Sequence, residues 1–260
     1  MMLRASVGAI GSLFCFTMRA VPARYRFPVA HGAARAFTPL LFNRALRRWV
    51  HKATVLETDQ DYLLSQLVAL LKNSRTKLDV PLAIEGLEHL DAAISVGRGV
   101  LLTGPHTFLS IVAIRHLHNV GYDVATVSRN PYRVPAGELS AVPRIPLTPM
   151  FLRAVRDVWS RGGIVFTMTD RRDALDGKTV SFEVPGGTVH FTDGLLRFAA
   201  RRNVVTLFLA SRTMDGKVMA RIMNPADGRS GEAGVQEFVE CVQEYADSIR
   251  VHPRHNGSAA

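Results

Sequence analysis

Apolar and polar positions alternate along this chain in short blocks, and the period changes from one block to the next. Val100-Leu101-Leu102-Thr103 is an apolar, β-branched run, the mark of a strand buried on both faces. Gly104-Pro105 breaks it, and an apolar helical run follows over 108–120. His106 therefore falls on the turn where a strand ends and a helix begins. The same reading places further strands at 82–85, 123–128, 164–169, 180–184, 188–191, 204–210 and 218–223. Helices are expected at 59–71, capped by Thr58 or Asp59, at 87–96, ended by Gly97, and at 151–160, stopped by Gly162-Gly163. Two more are expected at 195–202 and 235–250, the last amphipathic. The proline-rich stretch 135–148 reads as a loop, and Gly186-Gly187 as a tight hairpin turn.

Strands alternate with helices over much of 82–223, so the expected fold is α/β with a sheet at least partly parallel. The chain has 260 residues, 47% of them hydrophobic, which suffices for one sizeable core. We divide it into a basic amphipathic helical region, 1–75, and an α/β domain, 76–260.

The amino-terminal region has its own pattern. Residues 5–18 form an apolar run without a charge, shorter than the roughly 20 residues a spanning helix needs. A signal peptide is the competing reading, but Arg19, Arg24 and Arg26 follow directly, and positive charge just past an apolar segment opposes its export. Residues 27–50 continue helically, with Leu40, Leu41, Phe42, Leu46 and Trp49 set among Arg44, Arg47 and Arg48. The net charge of +10 is concentrated here: residues 1–52 hold nine basic side chains and no acid, and the remainder holds 23 basic and 22 acidic. Such an arm suits an anionic membrane surface, on which it would lie rather than span. Nucleic acid is the competing partner for any basic segment, but the bulky apolar residues between the arginines favour lipid.

Cys15 and Cys241 form no C-x-x-C, and the nine histidines no H-x-x-x-H, so neither a metal site nor a disulfide framework is expected. His106 is the candidate base, because imidazole takes a proton near neutral pH. Amides at the start of the following helix, at Thr107 and Phe108, suit an anion. Arg129-Asn130 ends the strand at 123–128, and Asp170-Arg171 ends the one at 164–169. Loops at the carboxyl ends of strands are where open α/β sheets bind ligands.

The order of these landmarks resembles a family. Ile84-Glu85-Gly86-Leu87, Gly97-Arg98-Gly99 before a strand, and a strand ending in Gly-x-His are similar to the bacterial lauroyl/myristoyl acyltransferases of lipid A assembly, within the lysophospholipid acyltransferase-like superfamily. Ser128-Arg129-Asn130-Pro131, Asp170 closing a strand, Val184-Pro185-Gly186 ahead of Gly194, and the 196–202 helix before Val204-Val205 continue the match. It covers about 82–225.

The resemblance implies a glycerolipid-acyltransferase-like mixed sheet flanked by helices, peripheral or anchored at the cytoplasmic face of the bacterial inner membrane. The implied reaction moves an acyl chain from acyl carrier protein or coenzyme A, as co-substrate thioester, to a hydroxyl of a membrane lipid, with no other cofactor. His106 and Asp170 are implied as catalytic residues, and Arg129, Asn130, Thr107 and Arg171 as substrate-binding ones. The family's histidine motif carries an acid five residues after the His, where this chain has Ile111. A catalytically silent homologue that binds lipid or carrier protein is therefore the alternative expectation.

Overall fold

A computed structural model describes residues 13–42, 56–73, 78–128, 142–168, 179–184, 187–224 and 232–248. A helix occupies 13–20 (α1), followed by α2 (Ala23–Leu41), α3 (Asp59–Asn73), β1 (Leu82–Glu85), α4 (Leu87–Ser95), β2 (Val100–Gly104) and α5 (Phe108–Asn119). The chain continues through β3 (Val124–Ser128), β4 (Arg144–Pro146), α6 (Phe151–Trp159), β5 (Ile164–Met168), β6 (Thr179–Val184) and β7 (Gly187–Thr192). It closes with α7 (Gly194–Arg201), β8 (Val205–Met214), β9 (Lys217–Met223) and α8 (Glu232–Ser248).

Seven strands form one mixed sheet in the order β1-β9-β8-β2-β5-β3-β4. From β8 to β4 neighbouring strands are parallel, whereas β9 runs antiparallel to β8 and parallel to β1. All five residues of β2 are buried, as a strand with helices on both faces requires. One face carries Val100, Leu102, Ile164, Phe166, Leu207 and Leu209 against Leu90 of α4 and Ala113, Ile114 and Leu117 of α5. The other carries Leu101, Val165, Phe208 and Ala210 against α6, α7 and α8, with Val184 and Val189 of the β6–β7 hairpin in the same core. The architecture is thus α/β, a mixed sheet flanked by helices.

The helices α1, α2 and α3 close one end. Met18, Phe27, Ala30, Ala34, Leu64, Val68 and Leu71 share a buried cluster with Leu109 of α5 and Val218 of β9. Thr58 caps α3 by accepting from the Asp61 amide at 3.0 Å. Asp61 itself is buried. It accepts from the Thr213 amide at 3.1 Å, from the Thr213 hydroxyl, and from the Thr58 hydroxyl at 2.8 Å. The side of α1 and α2 turned away from this cluster exposes Leu13, Phe16, Tyr25, Val29, Phe37 and Leu40. No described helix is long and apolar enough to cross a membrane.

Several expectations need correction. The proline-rich stretch contains a strand, β4, paired with β3 at the sheet's edge, where Pro146 disturbs no second ladder. In the hairpin Val184 pairs with Gly187, so Gly187 belongs to the strand and not to the turn. β8 runs on to Met214, past the expected end at residue 210, because Asp215 (φ 51°) and Gly216 (φ 73°) turn the chain straight back into β9. Such paired positive φ angles form the tight turn that matches strand twist. The helix expected from residue 27 begins at Ala23, and α2 ends at Leu41. Residues 43–55 lie outside the described chain, as do 1–12.

Candidate functional site

Gly104 ends β2 where a side chain would fit only tightly. A Cβ there would lie 3.0 Å from the Leu209 carbonyl oxygen and 3.3 Å from the Phe166 ring. Pro105 then turns the chain, and the Thr107 amide donates to the Pro105 carbonyl at 2.8 Å. His106 is thereby set between strand and helix, half-buried, with Nδ1 shielded from solvent. Thr107 caps α5: its Oγ1 accepts from the Ser110 amide at 3.1 Å.

Thr107, Ser110 and Ser211 bring three buried hydroxyls together beside His106. Their oxygens lie 2.9 Å (Thr107–Ser110), 3.1 Å (Ser110–Ser211) and 3.4 Å (Thr107–Ser211) apart. The Thr107 side chain is therefore occupied in capping and in this cluster. Ser211 reaches α5 because β8 outruns β2: Thr103 pairs with Phe208, and β8 continues to Met214. The Ser211 carbonyl accepts from the buried Tyr245 hydroxyl at 3.0 Å. Burial first, and then the Asp61 charge, pushes the Tyr245 phenol above its ordinary pKa. Burial likewise raises the Asp61 carboxyl, against the hydrogen bonds from Thr213 and Thr58.

Register defines what shares the edge with His106. Gly104 is level with Met168, and Thr126 with Phe166, so β2, β5 and β3 end in line. The β2 exit enters α5 on one face, while the chain after β5 leads to the hairpin and α7 on the other face. Adjacent parallel strands whose connections part to opposite faces open a crevice between them, and that is where such sheets bind ligands. Arg129 and Asn130, which follow β3, and Asp170 and Arg171, which follow β5, lie outside the described residues.

Ile111, half-buried on α5, occupies the position of the acid in the resembling family. An open cleft of about 290 Å³ lies at the same end of the sheet, between the β8–β9 overhang and α8. Arg212, Arg221, Glu85, Glu244, Met219 and Tyr245 are among its walls. Among the described residues no cluster of His, Cys, Asp or Glu side chains is arranged to hold a metal ion. Sequence reasoning passed over Ser211, Tyr245, Asp61 and Thr213. Only Asp215-Gly216, a hairpin signal, announced locally that β8 would overhang.

Compared with known proteins, the sequence matches no family model and no curated protein.

Proposed function

We propose that this chain is an acyltransferase working at a membrane surface. It takes a fatty acyl chain from a carrier-protein or coenzyme A thioester and passes it to a hydroxyl of a membrane lipid, such as a lipid A precursor. His106 accepts the proton of the acceptor hydroxyl as its oxygen attacks the thioester carbonyl. The tetrahedral intermediate collapses, the carbon–sulfur bond breaks, and the departing thiolate takes the proton from the imidazolium.

One observation carries the reading: an imidazole stands at the carboxyl end of β2, beside the crevice and the amino terminus of α5. A helix amino terminus favours the negative charge that develops on the carbonyl oxygen. The strands that lead into Arg129 and Asp170 end in line with it. In this reading Asp170 orients the imidazole in place of an acid at Ile111, and Arg129, Asn130, Arg171 and the Thr107 amide hold substrate. The exposed apolar residues of α1 and α2, with Arg19, Arg24 and Arg35 exposed beside them, support seating on the cytoplasmic face of the bacterial inner membrane.

The test is acyl transfer by purified chain from lauroyl thioesters of carrier protein and coenzyme A to lipid acceptors in vesicles. His106→Ala should lower the rate by about 10²–10⁴-fold at unchanged thermal stability. Transfer that persists in this variant overturns the assignment. Ile111 favours a second reading, a silent homologue that binds lipid or carrier protein. It requires vesicle binding without product, unchanged by His106→Ala.

A further inference from the structure

At the opposite end of the sheet from His106, the turns before β2 and β8 and the end of α6 enclose a shallow cleft of about 260 Å³. Its walls include Arg98, Arg156, Trp159, Ser160, Arg202 and Asn203. Gly97-Arg98-Gly99, which the reaction at His106 leaves unused, forms one side. Gly97 turns the chain at φ 68°, and a Cβ on Gly99 would lie 2.6 Å from the Trp159 Cβ, so the strand start can close on the indole only as glycine. The indole is itself fixed, its Nε1 donating to the Val100 carbonyl at 3.0 Å.

Arg98 is held in place. Its Nε and Nη2 donate to the Asn203 carbonyl at 3.0 and 2.9 Å, and Nη2 also to Asn203 Oδ1 at 2.9 Å. These bonds leave the Nη1 edge of the guanidinium. Arg202 lies over the Phe198 ring at 5.6 Å, and Arg156 is 3.7 Å from Asp157 across an exposed contact. Among the described residues no carboxylate is hydrogen-bonded to any of these three arginines. The contrast is with their neighbours: Arg161 grips both oxygens of Asp123, and Arg197 bonds Asp193.

The carboxyl ends of α4, α6 and α7 meet here, and cations suit such ends. Yet the last carbonyls are already bonded within the turns, by the amides of Arg98, Gly163 and Val204. Among the described residues the guanidinium of Arg98 bonds Asn203, that of Arg156 makes only the long exposed Asp157 contact, and that of Arg202 only the Phe198 ring contact. Three arginines on the walls of one cleft, with donor edges that no carboxylate fills, suit a phosphate. We propose that this cleft binds a phosphate group, as a phosphomonoester or a pyrophosphate, remote from the chemistry at His106 and independent of it.

Isothermal titration of the full chain with sodium pyrophosphate, and separately with dihexanoyl phosphatidic acid below its micelle concentration, tests this. Saturable binding is expected, weakened at least about tenfold in Arg156→Ala/Arg202→Ala. Arg153→Ala/Arg201→Ala, the same charge removed from α6 and from the last residue of α7, neither lining the cleft, should leave it unchanged. Saturation by pyrophosphate assigns a soluble ligand, and saturation by the lipid alone assigns a headgroup. The proposal falls if neither probe saturates by about 10 mM, or if both double variants weaken binding equally. Should the first pair unfold, Arg202→Lys alone removes the planar fork while keeping the charge, and a smaller loss, about threefold, is expected.

Discussion

The hydroxyls of Ser110 and Ser211 meet at 3.1 Å across 101 residues of sequence, both buried where β8 passes the first turn of α5. Thr107 completes the cluster and also caps the helix. Thr107→Ala loses the cap, worth about 1 kcal/mol, and the hydroxyl's contacts with Ser110 and Ser211, which stay bonded to each other, worth about 1 kcal/mol more. A drop in Tm of about 5–10 °C is expected. Ser211→Ala leaves Thr107 and Ser110 bonded to each other and should cost about 1 kcal/mol. Equal losses in the two variants, measured by thermal unfolding, would mean that the cap and the cluster do not act together.

Asp61 ties α3 to β8, and burial holds its carboxyl above the ordinary value of 3.8. A raised folded-state pKa means that the unfolded chain gives up this proton more readily. Stability from this group is therefore full below about pH 3.8 and is lost as pH rises through the folded value. Asp61→Asn removes the titration. Urea unfolding should show the wild-type chain gaining on this variant as pH falls from neutrality towards 4. A constant difference between the two would contradict the buried-carboxyl account.

His31 works in the opposite sense. Burial lowers its pKa below 6.5, outweighing the nearby Asp61 charge, and Arg35 adds to the lowering. Its contribution is present above about pH 6.5 and lost as pH falls through the lower folded value. His31→Gln should accordingly flatten the acid side of the stability profile, and chemical unfolding between about pH 7 and pH 5 checks it.

Gly86 stands at φ 79°, and a Cβ there would lie 2.0 Å from the Ile222 carbonyl oxygen. Gly86→Ala combines left-handed strain with a backbone clash and should destabilise by about 2–4 kcal/mol. Gly32→Ala, with nothing within 4 Å of the added carbon in the middle of α2, should instead stabilise by up to about 1 kcal/mol. Thermal melts of the two variants moving in the same direction would undo this argument.

Phe16 is 73% and Leu40 61% exposed on the helical arm. If that face seats on lipid, Phe16→Ser/Leu40→Ser should weaken co-sedimentation with phosphatidylglycerol vesicles by more than about tenfold. Neutral vesicles should bind the wild-type chain less strongly than anionic ones. Undiminished sedimentation of the double variant would remove the arm from the membrane reading.

Most of this fold was legible because its elements have local causes. The apolar block of β2, broken by Gly104-Pro105, could only be a buried strand followed by a turn, and α5 follows from its own periodicity and its Thr107 cap. β4 was hidden because its prolines argue for a loop, and only pairing with β3 makes three residues a strand. The position of His106 came from the sequence, but its surroundings did not. Ser211 and Tyr245 are placed by packing across the sheet, and no local pattern in either segment points to the other. The same holds for Asp61 and Thr213, 152 residues apart. As a first-turn acid Asp61 looks like an ordinary capping charge, yet it is buried against a strand end.

Leu109, three positions beyond His106, is packed into the cluster formed by α1, α2 and α3. The stand-off between the imidazole and the exposed face that carries Phe16 and Leu40 is thus a dimension of the solid body, not the reach of a tether. In the proposed reading, with the arm seated on lipid and His106 as base, the acceptor's hydroxyl has to rise to that height, and its depth becomes a selection criterion in its own right.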